Sequence, residues 1–248
     1  MSRIPPILLL TRPEAASRQF LADLTTAETP SFTPVLSPLM SIEALGPLPE
    51  VPKSSGVIFS SANAVRCWQA LGGGVRSPCY TVGRATARAA RTAGFDPISA
   101  DGDADALVSV ILGQNPGVPL FHLRGTHTRG NVAGRLRDGG CDVSVAVIYD
   151  QPAHELSDEA RAALNGTVPV VVPLFSPRSA AQFARTPPGG APLFVAAMSA
   201  DVSDALRGIY LTRLDILPRP EGRAMLAAVK EMLQAAGTLE VDRGSVKG

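Results

Sequence analysis

The chain has 248 residues, of which 45% are hydrophobic and 18% are charged, and its formal net charge is +1. This composition excludes an intrinsically disordered protein and leaves room for one large or two small domains. The near-neutral charge gives no indication of a nucleic-acid or membrane partner.

The start of the chain, MSRIPPILLLTRPE, contains a four-residue apolar run, which is too short for a signal peptide or a membrane span. The three cysteines are isolated and share no CxxC spacing, as is typical of proteins in a reducing compartment. Together with the short apolar run, this leads us to expect a cytoplasmic protein. The three histidines form no paired-ligand pattern, and we expect no metal site.

Strand-like and helix-like segments alternate along the chain. The apolar run ILLL at 7–10 predicts a strand covered on both faces, and Pro13 predicts the start of a helix that runs to about residue 24. The proline-punctuated stretch 31–45 predicts a pair of edge or crossover strands. Further strands are predicted over 57–59, 79–82, 119–123 and 143–149, from 170, and over 194–198, and further helices over 64–71, 85–93, 105–112, 132–138 and 225–233. The alternation indicates an α/β fold with parallel sheets.

A weak internal repeat divides these elements into two sets. A shift of 116 residues aligns Phe59 and Ser60 with Phe175 and Ser176, and the same shift aligns Gly83 with Ser199. A shift of 113 aligns the proline before the first strand with that at 119. Because two strand-to-helix turns match at the same shift of 116 residues, two similar domains are favoured over one long sheet.

The order of the strand–helix units determines how the chain is shared between the domains. One strand–helix pair precedes residue 36, three lie within 57–149, and two more follow residue 170. If each domain contains three pairs, the first pair must join the last two. We therefore predict a discontinuous first α/β domain, 1–35 plus 153–240, and an inserted second one, 36–152, with a flexible tail at 241–248. The two crossings predict a two-stranded β linker with a cleft between the domains.

Polar side chains follow the predicted strands, where ligands of open parallel sheets bind. These residues are Arg12, Ser60, Ser61, Asn63, Arg124, Ser176 and Ser199. Hydroxyls, guanidinium groups and free helix amides bind anions, and carboxylates in particular. For any one serine or asparagine an ordinary helix cap is the more expected role, and the case for binding depends on the whole set. The sequence contains no GxGxxG, GxxxxGK[ST] or GxSxG motif, which disfavours nucleotide-dependent and acyl-transfer enzymes.

Several of these motifs, in this order and spacing, resemble the uroporphyrinogen-III synthase family. They are TRP after the first strand, FSSANAV, VGRATARAA, LRG, GGCDVSVAVIYD and LFSPRSAAQF, and together they cover about residues 6–233. The resemblance implies two α/β domains joined by a two-strand ladder and acting as a monomer without metal or cofactor. It implies the linear tetrapyrrole hydroxymethylbilane as substrate, cyclised with inversion of ring D and loss of water, and the preceding hydroxymethylbilane synthase as a candidate partner.

The resemblance also assigns roles to two residues. Tyr149, in VIYDQ, matches the family's tyrosine at the end of the returning strand, where its phenol would assist loss of the substrate hydroxyl; the alternative is a half-buried aromatic without a chemical role. Thr86, in the VGxxTA turn, matches a threonine that would hold a carboxylate. Val202 stands opposite Thr86 in the second half, which leaves the role of Ser199 open.

Two other functions remain open from the sequence. The first is a non-catalytic two-domain sensor or binding protein for an anionic metabolite. The second is a degenerate synthase that serves as a structural partner. The isomer of the cyclised product would distinguish an enzyme from both.

Overall fold

The computed structural model describes residues 4–25, 28–127, 130–186 and 189–239; the predicted flexible tail, 241–248, lies outside them. In chain order the strands are β1 (Ile7–Leu10), β2 (Thr33–Leu36), β3 (Glu43–Ala44), β4 (Gly56–Phe59), β5 (Cys79–Thr81), β6 (Pro97–Ser99), β7 (Leu120–Gly125), β8 (Val143–Asp150), β9 (Val170–Leu174), β10 (Leu193–Ala197) and β11 (Arg213–Ile216). The helices are α1 (Glu14–Leu24), α2 (Ala62–Ala70), α3 (Arg84–Thr92), α4 (Ala104–Gln114), α5 (Val132–Asp138), α6 (Asp158–Asn165), α7 (Pro177–Ala184), α8 (Ala200–Asp204) and α9 (Gly222–Thr238).

The described residues form two units. Unit 1 contains the chain up to Ser41 and from Ala153 onward, and unit 2 contains Ile42–Pro152. The chain leaves unit 1 after Ser41, and β2 belongs to this unit because it pairs with β1 along its whole length. Where the chain crosses, its two segments run antiparallel, with Met40 opposite Ala153 in unit 1 and Glu43 opposite Asp150 in unit 2.

Unit 1 contains a parallel sheet with the strand order β11-β10-β9-β1-β2. Its central strands are continuous apolar runs because both faces are covered: every residue of β9 and β10 is buried. One apolar cluster packs α6, α7 and α8 against one face, and a second packs α1 and α9 against the other. The layered α/β arrangement predicted for this part of the chain is confirmed.

Unit 2 contains a sheet with the order β3-β8-β7-β4-β5-β6, parallel except for the β3–β8 pair. One cluster, built around Trp68 and Phe59, covers the face under α2 and α3. The other, built around Tyr80, Leu107 and Ile111, covers the face under α4 and α5. Within the described ranges, no helix is long and apolar enough to cross a bilayer.

The internal repeat corresponds to a shared topology. The order β11-β10-β9-β1-β2 in unit 1 matches β6-β5-β4-β7-β8 in unit 2, so β1 and β7 are equivalent strands, as the shift of 113 residues predicts. The helix after β4 is capped by Ser61 and the helix after β9 by Ser176, which are 115 residues apart rather than 116. The sequence alignment of Ser60 with Ser176 is therefore displaced by one residue at this turn, and Ser60 is free for another contact.

Candidate functional site

The carboxyl edge of the unit 2 sheet holds a cavity of about 250 Å³. It lies where the chain leaves the neighbouring strands β4 and β7 in opposite directions, the switch point at which open α/β sheets bind ligands. The lining residues are Ser60, Ser61, Val82, Ala104, His127, Val132 and Tyr149. A slightly larger hollow of about 290 Å³, lined by residues 115–119 and 140–142, lies at the opposite edge and contains none of the candidate residues.

A β-bulge directs Tyr149 into this site. In the β7–β8 ladder Arg124 pairs with Val147, but the next residue, Gly125, pairs with Tyr149, so Ile148 is an extra residue in β8. A bulge places two successive side chains on the same face, and Ile148 and Tyr149 are both buried in one cluster. The phenol ring lies against Gly125, where a Cβ atom would stand 2.5 Å from the Tyr149 Cζ.

The Tyr149 hydroxyl lies beside Ser61, and both side chains line the cavity. The Ser61 Oγ accepts the Asn63 amide N–H at 3.1 Å as the cap of α2. Burial raises the pKa of Tyr149, although hydrogen bonding from the neighbouring Ser61 opposes the rise. The phenol therefore stays protonated near neutral pH. The helix cap does not use the Ser61 proton, so Ser61 can donate to the Tyr149 oxygen and leave the phenolic proton for a ligand.

Ser60 has a different partner, the imidazole of His122. Ile58 pairs with His122 in the β4–β7 register, and Ser60 lies two residues beyond Ile58 on the same face of the sheet. The Ser60 Oγ and His122 Nε2 are 3.0 Å apart. Burial, together with the positive charge of Arg124, lowers the pKa of His122 to about 4, so the ring is neutral at physiological pH.

The other predicted residues of unit 2 do not line the cavity. The Arg124 Nη1 donates to the carbonyls of Gly125, at 2.9 Å, and Thr126, at 3.3 Å, so it orders the turn after β7. Thr86 is only 5% exposed in the first turn of α3. The Asn63 side chain accepts from Arg66, and it is the Asn63 backbone that supports the site, through Ser61.

The remaining predicted residues occupy the corresponding edge of unit 1. The Arg12 guanidinium lies 4.1 Å from the centre of the Phe175 ring, and burial lowers the pKa of Arg12. Ser176 caps α7 by accepting the Ser179 amide N–H at 3.1 Å. Ser199 is the N-cap of α8, and its side chain makes no hydrogen bond to the helix amides. The structure thus assigns the candidate residues to two units, and brings Ser60, Ser61 and Tyr149 together in one cavity.

Sequence reasoning missed His122, His127 and the apolar lining. The spacing of the histidines was considered only for metal binding, so it did not identify His122 as a partner of Ser60. In the described part of the chain, no three His, Cys, Asp or Glu side chains are grouped so that they could hold a metal ion. The contact between Ser60 and His122 depends on the register of two strands 62 residues apart, which periodicity does not give. A polar residue inside the apolar run PLFHL was the one signal that could have identified His122.

We compared the chain with known protein families, curated proteins and solved structures. The family model described as uroporphyrinogen-III synthase HemD matches residues 23–227. No curated protein matches the sequence. The uroporphyrinogen-III synthetase from Helicobacter pylori has a similar structure, with a TM-score of 0.63 and 14% identity over 92% of this chain and 100% of that one. A mutant uroporphyrinogen III synthase from the extremely thermophilic bacterium Thermus thermophilus matches with a TM-score of 0.46 and 17% identity over 93% of this chain and 99% of that one.

Proposed function

Because the chain belongs to the uroporphyrinogen-III synthase family, we propose that hydroxymethylbilane is its substrate and that the cavity beside Tyr149 is where the substrate loses its hydroxyl group. The protein is a lyase of porphyrin biosynthesis, and its activity is that of the family, the cyclisation of a linear tetrapyrrole to uroporphyrinogen III. The family match favours this enzyme over a non-catalytic sensor.

The chemistry requires little more than positioning. The terminal hydroxyl leaves as water, with electrons supplied by its own pyrrole, and an electrophilic azafulvene remains. Ring D attacks through its substituted carbon, and the resulting spiro intermediate fragments and recloses with ring D inverted. Ring D loses a proton when it becomes aromatic again after the final closure. This proton balances the one that the departing hydroxide takes up to become water. A site for this reaction must assist one departure and orient flexible rings.

Tyr149 is our candidate for assisting that departure. Its phenol is protonated near neutral pH, lines the cavity, and can donate its proton to a ligand when Ser61 donates to its oxygen. A hydrogen bond from this phenol would stabilise the negative charge that develops on the leaving oxygen. The single observation that carries the proposal is the buried, protonated phenol that lines the cavity at the switch point of the sheet.

We assign substrate binding to the other candidates. A cavity of about 250 Å³ holds one end of a linear tetrapyrrole rather than the whole molecule. Ser60 and Ser61, which line the cavity, would contact that end, and Asn63, Thr86 and Arg124 would bind parts of the substrate outside the cavity. Arg12, Ser176 and Ser199 would bind further carboxylates, and the planar Arg12 guanidinium on Phe175 suits a bidentate contact.

A pair of tyrosine variants tests the site. We expect Tyr149→Phe to lower kcat by about 100-fold, the usual contribution of one general acid. Tyr80→Phe is the matched control, because Tyr80 is equally buried and donates to Gln114 at 3.0 Å, away from the cavity. Both variants are assayed with freshly generated hydroxymethylbilane. Equal and wild-type turnover in the two variants would remove Tyr149 from the mechanism.

The two-domain boundaries, the cytoplasmic location, the monomeric state and contact with the preceding synthase stay predictions. The unpaired Cys67, Cys79 and Cys141 support a reducing compartment. Gel filtration and co-purification with hydroxymethylbilane synthase are the direct measurements of the last two properties.

A further inference from the structure

The pair of Ser60 and His122 connects a buried ring to the surface of the cavity. Ser60 lines the cavity, whereas His122 is 3% exposed and lies behind it on the same face of the sheet. The 3.0 Å distance between Oγ and Nε2 is that of a good hydrogen bond. His122 is not among the residues that line the cavity, so it would act on a ligand there through Ser60.

The direction of this hydrogen bond decides what Ser60 offers to a ligand. A neutral imidazole carries one N–H and one lone pair. If Nε2 accepts, the Ser60 proton is directed away from the cavity, and any reaction of Ser60 would leave an imidazolium in a buried place beside Arg124. If Nε2–H donates, no charge is created and the Ser60 proton turns outward. The burial of the ring and the positive charge of Arg124 keep the imidazole neutral, and of the two arrangements only the second presents a Ser60 proton to a ligand in the cavity.

We propose that His122 is a positioning residue for Ser60, whose Nε2–H donates to the Ser60 Oγ and turns the Ser60 proton into the cavity toward a substrate carboxylate. This inference depends on the proposed function, because the carboxylates of the tetrapyrrole are the ligands that such a donor would bind. The Ser60 hydroxyl then accepts a hydrogen bond from His122 and donates one to the ligand.

The tautomer can be measured on the free protein, without substrate. The sequence contains three histidines, so protein labelled with ¹⁵N-histidine gives few imidazole signals, and their loss in His122→Gln assigns those of His122. We expect a long-range ¹H–¹⁵N correlation spectrum at about pH 7 to show His122 protonated at Nε2 and unprotonated at Nδ1. The opposite tautomer would overturn the proposal, whatever reaction the protein catalyses.

Steady-state kinetics tests the consequence for binding. His122→Phe keeps the ring bulk and removes the hydrogen bond, while His122→Gln places an amide N–H close to the original Nε2. We expect His122→Phe and Ser60→Ala each to raise KM for hydroxymethylbilane about tenfold with kcat nearly unchanged, because one hydrogen bond of uniform binding is lost. His122→Gln should stay within about threefold of the wild-type KM.

The double variant separates positioning from a general structural role. If His122 acts through Ser60, His122→Phe combined with Ser60→Ala is no worse than Ser60→Ala alone. Losses that multiply, or a fall in kcat at unchanged KM in His122→Phe, would overturn the proposal. Wild-type protein that forms no type III isomer would instead contradict the proposed function, and the tautomer result would still stand for the free protein.

Discussion

Replacing Gly125 by alanine is the sharpest test of how the fold positions Tyr149. A Cβ atom built at Gly125 would lie 2.5 Å from Cζ, 2.7 Å from Cε2 and 3.0 Å from Cε1 of the Tyr149 ring. Carbon atoms in contact are normally separated by about 3.5–4.0 Å, so the ring must move by about 1 Å. The ring is 5% exposed, and its hydroxyl would move away from Ser61.

A displacement of this size has a predictable effect on rate. Misplacing a reacting group by about 1 Å lowers turnover by about 100-fold. Overpacking a buried site destabilises a protein by about 1–3 kcal/mol, which a domain of this size tolerates. We therefore expect Gly125→Ala to fold, with a slightly lower urea midpoint, and to lose about 100-fold in kcat.

The assay combines this variant with two others. Gly113→Ala is the matched control, because a Cβ there meets nothing within 4 Å and alanine suits the interior of α4. In a Tyr149→Ala background, the space left by the ring accommodates the new methyl group, so Gly125→Ala should add no further loss. Wild-type kcat in folded Gly125→Ala, or a full additional loss in the Tyr149→Ala background, would refute the role assigned to this contact.

Three more predictions concern single side chains. Ser61→Ala removes the α2 cap and should lower stability by about 1 kcal/mol, while a spectrophotometric titration should show a higher pKa for Tyr149. The pKa of His122 is lower in the folded protein than its ordinary 6.5, so the unfolded chain binds more protons between about pH 4 and 6.5, and stability falls as pH drops through that range. Between about pH 7.5 and pH 5, the free energy of unfolding measured with urea should fall by about 2 kcal/mol more in wild type than in His122→Phe. Arg12→Lys should raise KM by loss of the planar fork, whereas Arg18→Lys, at an exposed pair, should leave KM unchanged.

Much of the fold follows from local patterns in the sequence. Apolar runs such as ILLL and GVIF form the central strands because both faces of the sheets are covered. The helix that begins after Pro13 ends at Leu24, as predicted. The strands that were missed, β6 and β11, are short edge strands: one begins with proline and the other alternates charged and apolar residues, so neither forms the apolar run that marks a central strand.

The site was predicted less completely, for a physical reason. Strand ends identify which residues reach the carboxyl edge, and Ser60, Ser61 and Tyr149 do meet there. Their partners depend on strand register. The bulge at Ile148 turns Tyr149 toward Ser61, and the pairing of β4 with β7 brings His122 to Ser60. Register results from packing across the whole sheet, so a single sequence without its structure does not reveal these contacts.

The most direct measurement of the central claim is the isomer composition of the product. The protein is added to freshly generated hydroxymethylbilane, and the products are oxidised and separated as uroporphyrin isomers. We predict that type III dominates, because the site directs ring closure through the substituted carbon of ring D. Type I alone, as in a reaction without protein and beside an active control synthase, would contradict the account.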